Sequence, residues 1–235
     1  MKEIVFTNFY GANSLYSPTP ASQNIPSWYK DMSSYGNNKK GLTAEGYANA
    51  TAKKCMPIFD AINSGYLLYS HTDVFVSQVK DEKGQDRPFF NWPAGSPITF
   101  HSPWQLPTHP YNTGHDSYPK WSNSWSIKTP KGYSCLFVSP LHRESIFTIL
   151  PGVVDTDNYI SPINFPFVLN DINFTGIIPA GTPIAQVIPF KRDSWNMLID
   201  KTKENIEKII ETDKAIATKF FDKYKTFFRV KKEYK

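Results

Sequence analysis

Cysteine is nearly missing from this 235-residue chain, with only Cys55 and Cys135 present. Two thiols make neither a disulfide framework nor a zinc knuckle, so a reducing compartment is expected and the core must hold the fold. Long apolar runs are missing as well. No stretch approaches the ~20 residues needed to span a bilayer, so no membrane association is expected. The opening MKEIVFTNFYG has one early lysine and only a short apolar run, unlike a secretory leader. Charged residues are scarce at 20%, which argues against a coiled coil and against long-range disorder. The net charge of +5 is only mildly basic and gives little pull toward nucleic acid. The chain has no phosphate loop, dinucleotide fingerprint, serine elbow or HExxH pattern.

Aromatics and prolines are plentiful: 15% of residues are Phe, Trp or Tyr, and there are 19 prolines. That mix suits a β-rich domain with many turns. Residues 2–7 alternate as a first strand. Residues 8–50 lack a period and read as an ordered loop pinned by Pro26, Trp28 and Tyr29. A helical turn, a break at Ser64-Gly65 and a strand YLLY follow over 58–69. Val74 and Val76 alternate with Phe75 and Ser77, and DEKGQDRP makes a hairpin loop with Gly84 at its tip, so strands are expected over 73–79 and 88–92.

Prolines crowd 93–121, which predicts loops there and no regular strand. From 122 to 190 short apolar runs recur between turn signals, including a strand–turn–strand around Pro130-Lys131-Gly132. The fold class expected is mainly β, a distorted barrel or sandwich of about ten strands with long ordered loops and a C-terminal helix. Trp28, Trp92, Trp104 and Trp125 are expected to be largely buried, because large aromatics offset the entropy of ordering loops.

After Asp193 there is no glycine and no proline. Asp193 or Ser194 reads as an N-cap, so 194–211 is expected to be helical. Ile199, Ile206, Ile209, Ile210, Ile216, Phe220, Tyr224 and Phe227 form an apolar stripe. The chain divides into a β-rich domain over 1–192 and a helical appendage over 193–235. The stripe is expected to pack on the β domain, on a partner protein or on a second copy. Arg229, Lys231, Lys232 and Lys235 make a basic tail that reads as a frayed, solvated helix end or as a contact for nucleic acid or an acidic partner surface.

The most specific stretch is 151–190, where PGVVDTDNY precedes GTPIAQVIPF. It resembles two motifs of the dUTP pyrophosphatase and dCTP deaminase superfamily, the β-clip fold. The resemblance implies a nucleotide ligand, with Asp155 activating water, Gln186 orienting it, Tyr159 packing on the nucleoside, and Arg143 and Ser145 of SPLHRES facing phosphate. Magnesium would then arrive on the triphosphate; outside that implication no metal or cofactor is expected. The pattern also departs from the family: Ile160-Ser161-Pro162 stand where Arg-Gly is expected, the Asp-to-Tyr spacing is one residue longer, and the C-terminus is no glycine-rich arm. The structural alternative is a tight DTDNY turn closed by Asp155 and Asp157.

A second resemblance covers more of the chain. KKCMPIFDAINSGYLLYSHTDVFV, KTPKGYSCLFVSP and IIPAGTPIAQVIPFKRDSW are similar to a group of uncharacterised proteins of tailed phages and bacteria. It implies a phage-related origin, in a host cytoplasm or a virion, and no chemistry. His71, Asp73 and His142 are compatible with an iron triad, and His101, His109, His115 and Asp116 share one loop, but strand-start and loop-bracing roles fit these spacings better. The expected function is a phage-related structural or interaction protein, non-enzymatic, with nucleotide binding or hydrolysis as the alternative.

Overall fold

PIAQVIPFK is the longest strand among the described residues, and it is central. Ile184, Ala185, Gln186 and Val187 are all buried, as expected of a strand covered on both faces. In the computed structural model, which describes residues 2–9, 16–46, 48–110, 117–217 and 224–235, this strand is β14 (Pro183–Lys191). It sits in a five-stranded sheet with β2 (Thr19–Pro20), β3 (Tyr66–Tyr69), β9 (Tyr133–Val138) and β11 (Gly152–Val154), in the order β11-β9-β14-β3-β2.

A second sheet orders β10 (Phe147–Ile149), β12 (Phe165–Leu169), β7 (Tyr118–Trp121) and β6 (Ile98–His101). A third orders β13 (Gly176–Ile178), β4 (Val74–Lys80) and β5 (Asp86–Asn91), and β1 (Val5–Asn8) pairs with β8 (Trp125–Lys128). The described chain is therefore mainly β, with fourteen strands in four antiparallel sheets, none of them closed into a barrel. One core joins the sheets. Trp121, Phe147 and Phe167 form its aromatic centre, with ring centroids 5.1 to 5.3 Å apart.

The β4–β5 hairpin forms as its alternation predicts. Val74 and Val76 face inward, Phe75 and Ser77 outward. Asp81 holds the loop by accepting from Lys83 N and Gln85 N, and Gly84 takes φ +75°. The break at Ser64-Gly65 also forms, between α2 (Met56–Asn63) and β3. Gly65 is obligatory there: it has φ +68°, and a Cβ would lie 1.9 Å from Val187 O.

Other expectations need correcting. The proline-rich 93–121 segment does contain strands, and β7 carries Pro119 between two neighbours. Its register with β12 stops at Lys120, one residue short of Pro119, so the strand is central over two residues only. The strands around Pro130-Lys131-Gly132 both form but do not pair with each other; β8 joins β1, and β9 joins β14 and β11. Trp28 and Trp104 are exposed, Trp104 by 84%, on a short turn at the surface; Trp92 and Trp125 are partly buried against the core. Trp121, held in a strand, is the tryptophan that fills the centre.

The helix starts late. Residues 194–202 are irregular, and α3 spans Lys203–Ala217; α1 (Ser27–Asp31) is a single short helix in the loop before α2. Asp193 does not cap, because its carboxylate binds Lys191 Nζ at 2.5 Å. The first helical hydrogen bond runs from Ile206 N to Thr202 O at 3.1 Å, which makes Thr202 the cap position, and Asp200 just before it accepts from Thr202 N at 2.8 Å and from the Asn205 side-chain amide. Phe220 lies outside the described residues. Beyond them, one wide turn over Tyr224–Phe228 leads into a tail that returns to α2. Arg229 pairs with Asp60 at 2.6 Å, its guanidinium lies over the Phe59 ring, and Tyr234 meets Tyr66 edge-on. The basic tail is thus docked on an acidic residue of the same chain.

Candidate functional site

The turn after β11 is built from backbone bonds. Asp155 O accepts from Asn158 N at 3.0 Å and from Tyr159 N at 2.9 Å. Thr156 is buried, bonding the Thr129 hydroxyl at 2.8 Å and donating to Cys135 Sγ at 3.3 Å. Asp157 accepts from Gly132 N at 2.8 Å and receives both terminal nitrogens of Arg192, one of them at 2.8 Å. That guanidinium, and after it the Gly132 N–H, holds the Asp157 carboxyl down at about 2. Asp155 accepts the Ser134 hydroxyl at 2.6 Å and stands 3.2 Å from the same Arg192. Two carboxylates therefore share one cation, and the turn is tied to the ends of β9 and β14. The Tyr159 ring is half exposed.

Gln186 and Arg143 lie elsewhere. An α-helix leaves its last four carbonyls without internal partners. At the end of α2, Asp60 O accepts the Ser64 hydroxyl at 2.6 Å, Ala61 O accepts Gln186 Nε2 at 3.0 Å, and Ile62 O accepts Arg143 Nη2 at 3.2 Å. Gln186 also donates to Ser64 O at 2.6 Å and accepts from Leu141 N at 2.8 Å. Arg143 reaches Leu141 O, Ala21 O and Asn24 O as well. Burial lowers the Arg143 pKa, and the helix C-terminus favours a cation at this place. Ser145 turns onto its own strand, donating to Phe147 O at 2.6 Å.

The five residues are thus divided. Asp155 and Tyr159 share the turn, Arg143 and Gln186 share the α2 end, and Ser145 caps β10. The spacing along β9 shows how far apart the first two groups are. Asp155 bonds Ser134, whereas Gln186 pairs with Val138. Four residues of strand at ~3.3 Å each put these positions about 13 Å apart, too far for Asp155 and Gln186 to hold one water between them. No hydrogen bond or ion pair joins the two groups among the described residues.

Several other reactive groups are held within the fold. Burial pushes the Cys135 thiol up to about 11, far from a reactive thiolate. Asp73 accepts from Ala180 N at 2.7 Å, His142 packs beside Trp28, and His101 bonds Gln105. His115 and Asp116 lie outside the described residues. Among the described residues no cluster of three or more metal-ligating side chains forms, and no helix is long and apolar enough to cross a membrane.

What the fold leaves open is the arm between β14 and the tail. Trp195, Met197, Leu198 and Ile199 are at least 75% exposed, and Ile206, Ile209, Ile210 and Ile216 of α3 are 45 to 67% exposed. Ile206, Ile209 and Ile216 line a shallow groove of about 640 Å³ together with Asp200, Lys208 and Asp213. The stripe was readable in the sequence. The exposed cluster at 195–199 was missed, because an assumed helix start at 194 placed those residues inside a helix with only Ile199 on its stripe.

No protein-family model and no curated protein matches the chain. Among solved structures, a mutant dUTPase from phage phi11 of S. aureus, described with a structural Mg(II) ion, is similar to it at 13% identity and a TM-score of 0.32. The match covers 60% of this chain and 85% of that one.

Proposed function

We propose that the protein is a phage-related, non-enzymatic assembly protein that associates with a second copy of itself through the arm over 195–216. The observation that carries this is the contrast between a β domain whose core packs its large apolar side chains together and an arm whose apolar side chains are bare. Burying a large apolar side chain is worth about 1.5–3 kcal/mol. Covering the exposed half of the four α3 isoleucines gives about 3–6 kcal/mol. Covering Trp195, Met197, Leu198 and Ile199 adds about 5–10 kcal/mol. Association costs about 4–15 kcal/mol in lost freedom. The stripe alone falls short of most of that range, and the whole arm meets it. Two arms in contact each cover their own apolar side chains, and α3 carries charges of both signs that are paired within the helix through Lys203–Glu207 and Glu204–Lys208.

Sedimentation equilibrium of the full chain tests this, with a mass above the single chain's 26.8 kDa expected. The nucleotide-hydrolysing alternative rests on the 151–190 pattern and on an Asp155 side chain that is 59% exposed. Turnover of dUTP or dCTP well above background, lost in Asp155→Asn, would replace the assembly reading with that one.

A further inference from the structure

Between the β13-β4-β5 sheet and the β10-β12-β7-β6 sheet the facing side chains do not fill the space. A cavity of about 140 Å³ remains, walled by Arg87 and Phe90 of β5, Phe100 of β6, Pro119 of β7, and Phe167 and Leu169 of β12. Its floor is fixed. Phe90 meets Phe167 edge-on at 5.8 Å, and Phe167 stacks on the buried Trp121 at 5.2 Å. Phe100 stands at the mouth, half exposed and tilted 55° to Phe90.

Arg87 is the charged residue of the wall, and its charge is already balanced. Its Nε donates to Asp81 Oδ2 at 2.8 Å, and Nη2 donates to Gln85. The wall therefore offers three aromatic faces and no net charge. We infer that this cavity is a binding site for a small neutral molecule built on a single aromatic ring. Size decides the class: sites for drug-sized ligands run from about 300 Å³ upward, whereas an apolar cavity of about 150 Å³ stays dry and takes up benzene. Edge-to-face and offset contacts with Phe90 and Phe100 suit a ring. The pocket opens at Phe100, and a ring entering there covers the aromatic faces that water now meets.

The test uses the full chain titrated with toluene, p-cresol and benzoate, followed by amide chemical shifts and thermal denaturation. Toluene and p-cresol are expected to give saturable shifts around Phe90, Phe100 and Leu169 with a Kd of about 1 mM or tighter, and to raise Tm. Benzoate, which brings a charge to a wall already neutral, is expected to bind at least about tenfold more weakly. Leu169→Phe fills the cavity from its wall and is expected to weaken toluene at least about tenfold. If that variant does not fold, Phe100→Ala at the exposed mouth carries the test, with about a threefold or greater loss expected. No saturable shift with toluene or p-cresol would identify a packing void and overturn the inference. Binding unchanged in Phe100→Ala, or benzoate binding equal to toluene, would overturn it as well.

Discussion

Replacing Gln186 by leucine separates a structural from a catalytic role for that residue. The volumes are similar, so the change acts through hydrogen bonds. Three are lost: to Ala61 O, to Ser64 O and from Leu141 N. Ala61 O keeps a weaker partner in Ser64 N at 3.4 Å. Ser64 O and Leu141 N lose the partner that Gln186 gave them, at a site where Gln186 itself is fully buried. An unsatisfied buried group costs about 1–3 kcal/mol, so the loss is expected to be about 2–6 kcal/mol. For a chain of this length each kcal/mol moves Tm by about 2–4 °C, which makes a fall of about 10 °C the central expectation. Calorimetry of wild type and Gln186→Leu measures it. A Tm within about 2 °C of wild type would refute the claim that Gln186 secures the end of α2.

Other perturbations test neighbouring parts of the structure. Asp157 has a folded pKa of about 2, below its ordinary 3.8, so it contributes stability above the ordinary value that is lost as pH falls through the folded one. Acid unfolding of wild type should steepen between pH about 4 and 2, and Asp157→Asn should lack that part of the slope; parallel pH profiles would contradict the Arg192 clamp. Asp60→Ala removes the partner of Arg229 and Lys232 and should cost about 1–3 kcal/mol while freeing the tail, read as faster tryptic cleavage within 224–235; cleavage at the wild-type rate would show that the tail is held by something else. Cys135 should stay silent toward a thiol reagent until the protein unfolds, because its thiol is buried and its pKa is about 11; labelling of Cys135 in the native state would place the strand at the surface.

The local features were legible because they rest on neighbours in sequence. The β4–β5 hairpin follows from alternation and a DEKG turn, and the α2–β3 break follows from Ser64-Gly65. The mainly β class follows from recurring short runs between turn residues. Sheet partners were not legible. β8 finds β1 across 120 residues, and nothing in WSIK names that partner. The same holds at the candidate site. The residue types at 143 and 186 suit a polar pocket as well as they suit a helix end, and the choice depends on α2 carbonyls more than 80 residues away along the chain. The start of α3 was not legible because several residues over 193–202 are capable caps: Asp193 is engaged by Lys191, and Thr202 O accepts the first helical bond.

The assembly claim is tested most directly by sedimentation equilibrium of the full chain beside a Leu198→Glu, Ile209→Glu double variant, over protein concentrations of about 1–100 µM. Both positions are exposed in the single chain, so the substitutions should leave the β core and its Tm unchanged. Wild type is expected to reach a mass above 26.8 kDa as concentration rises, and the variant to remain at the mass of one chain. A wild type that stays at one chain's mass throughout, or a variant that associates as strongly as wild type, would contradict the assignment of the arm as the contact between copies.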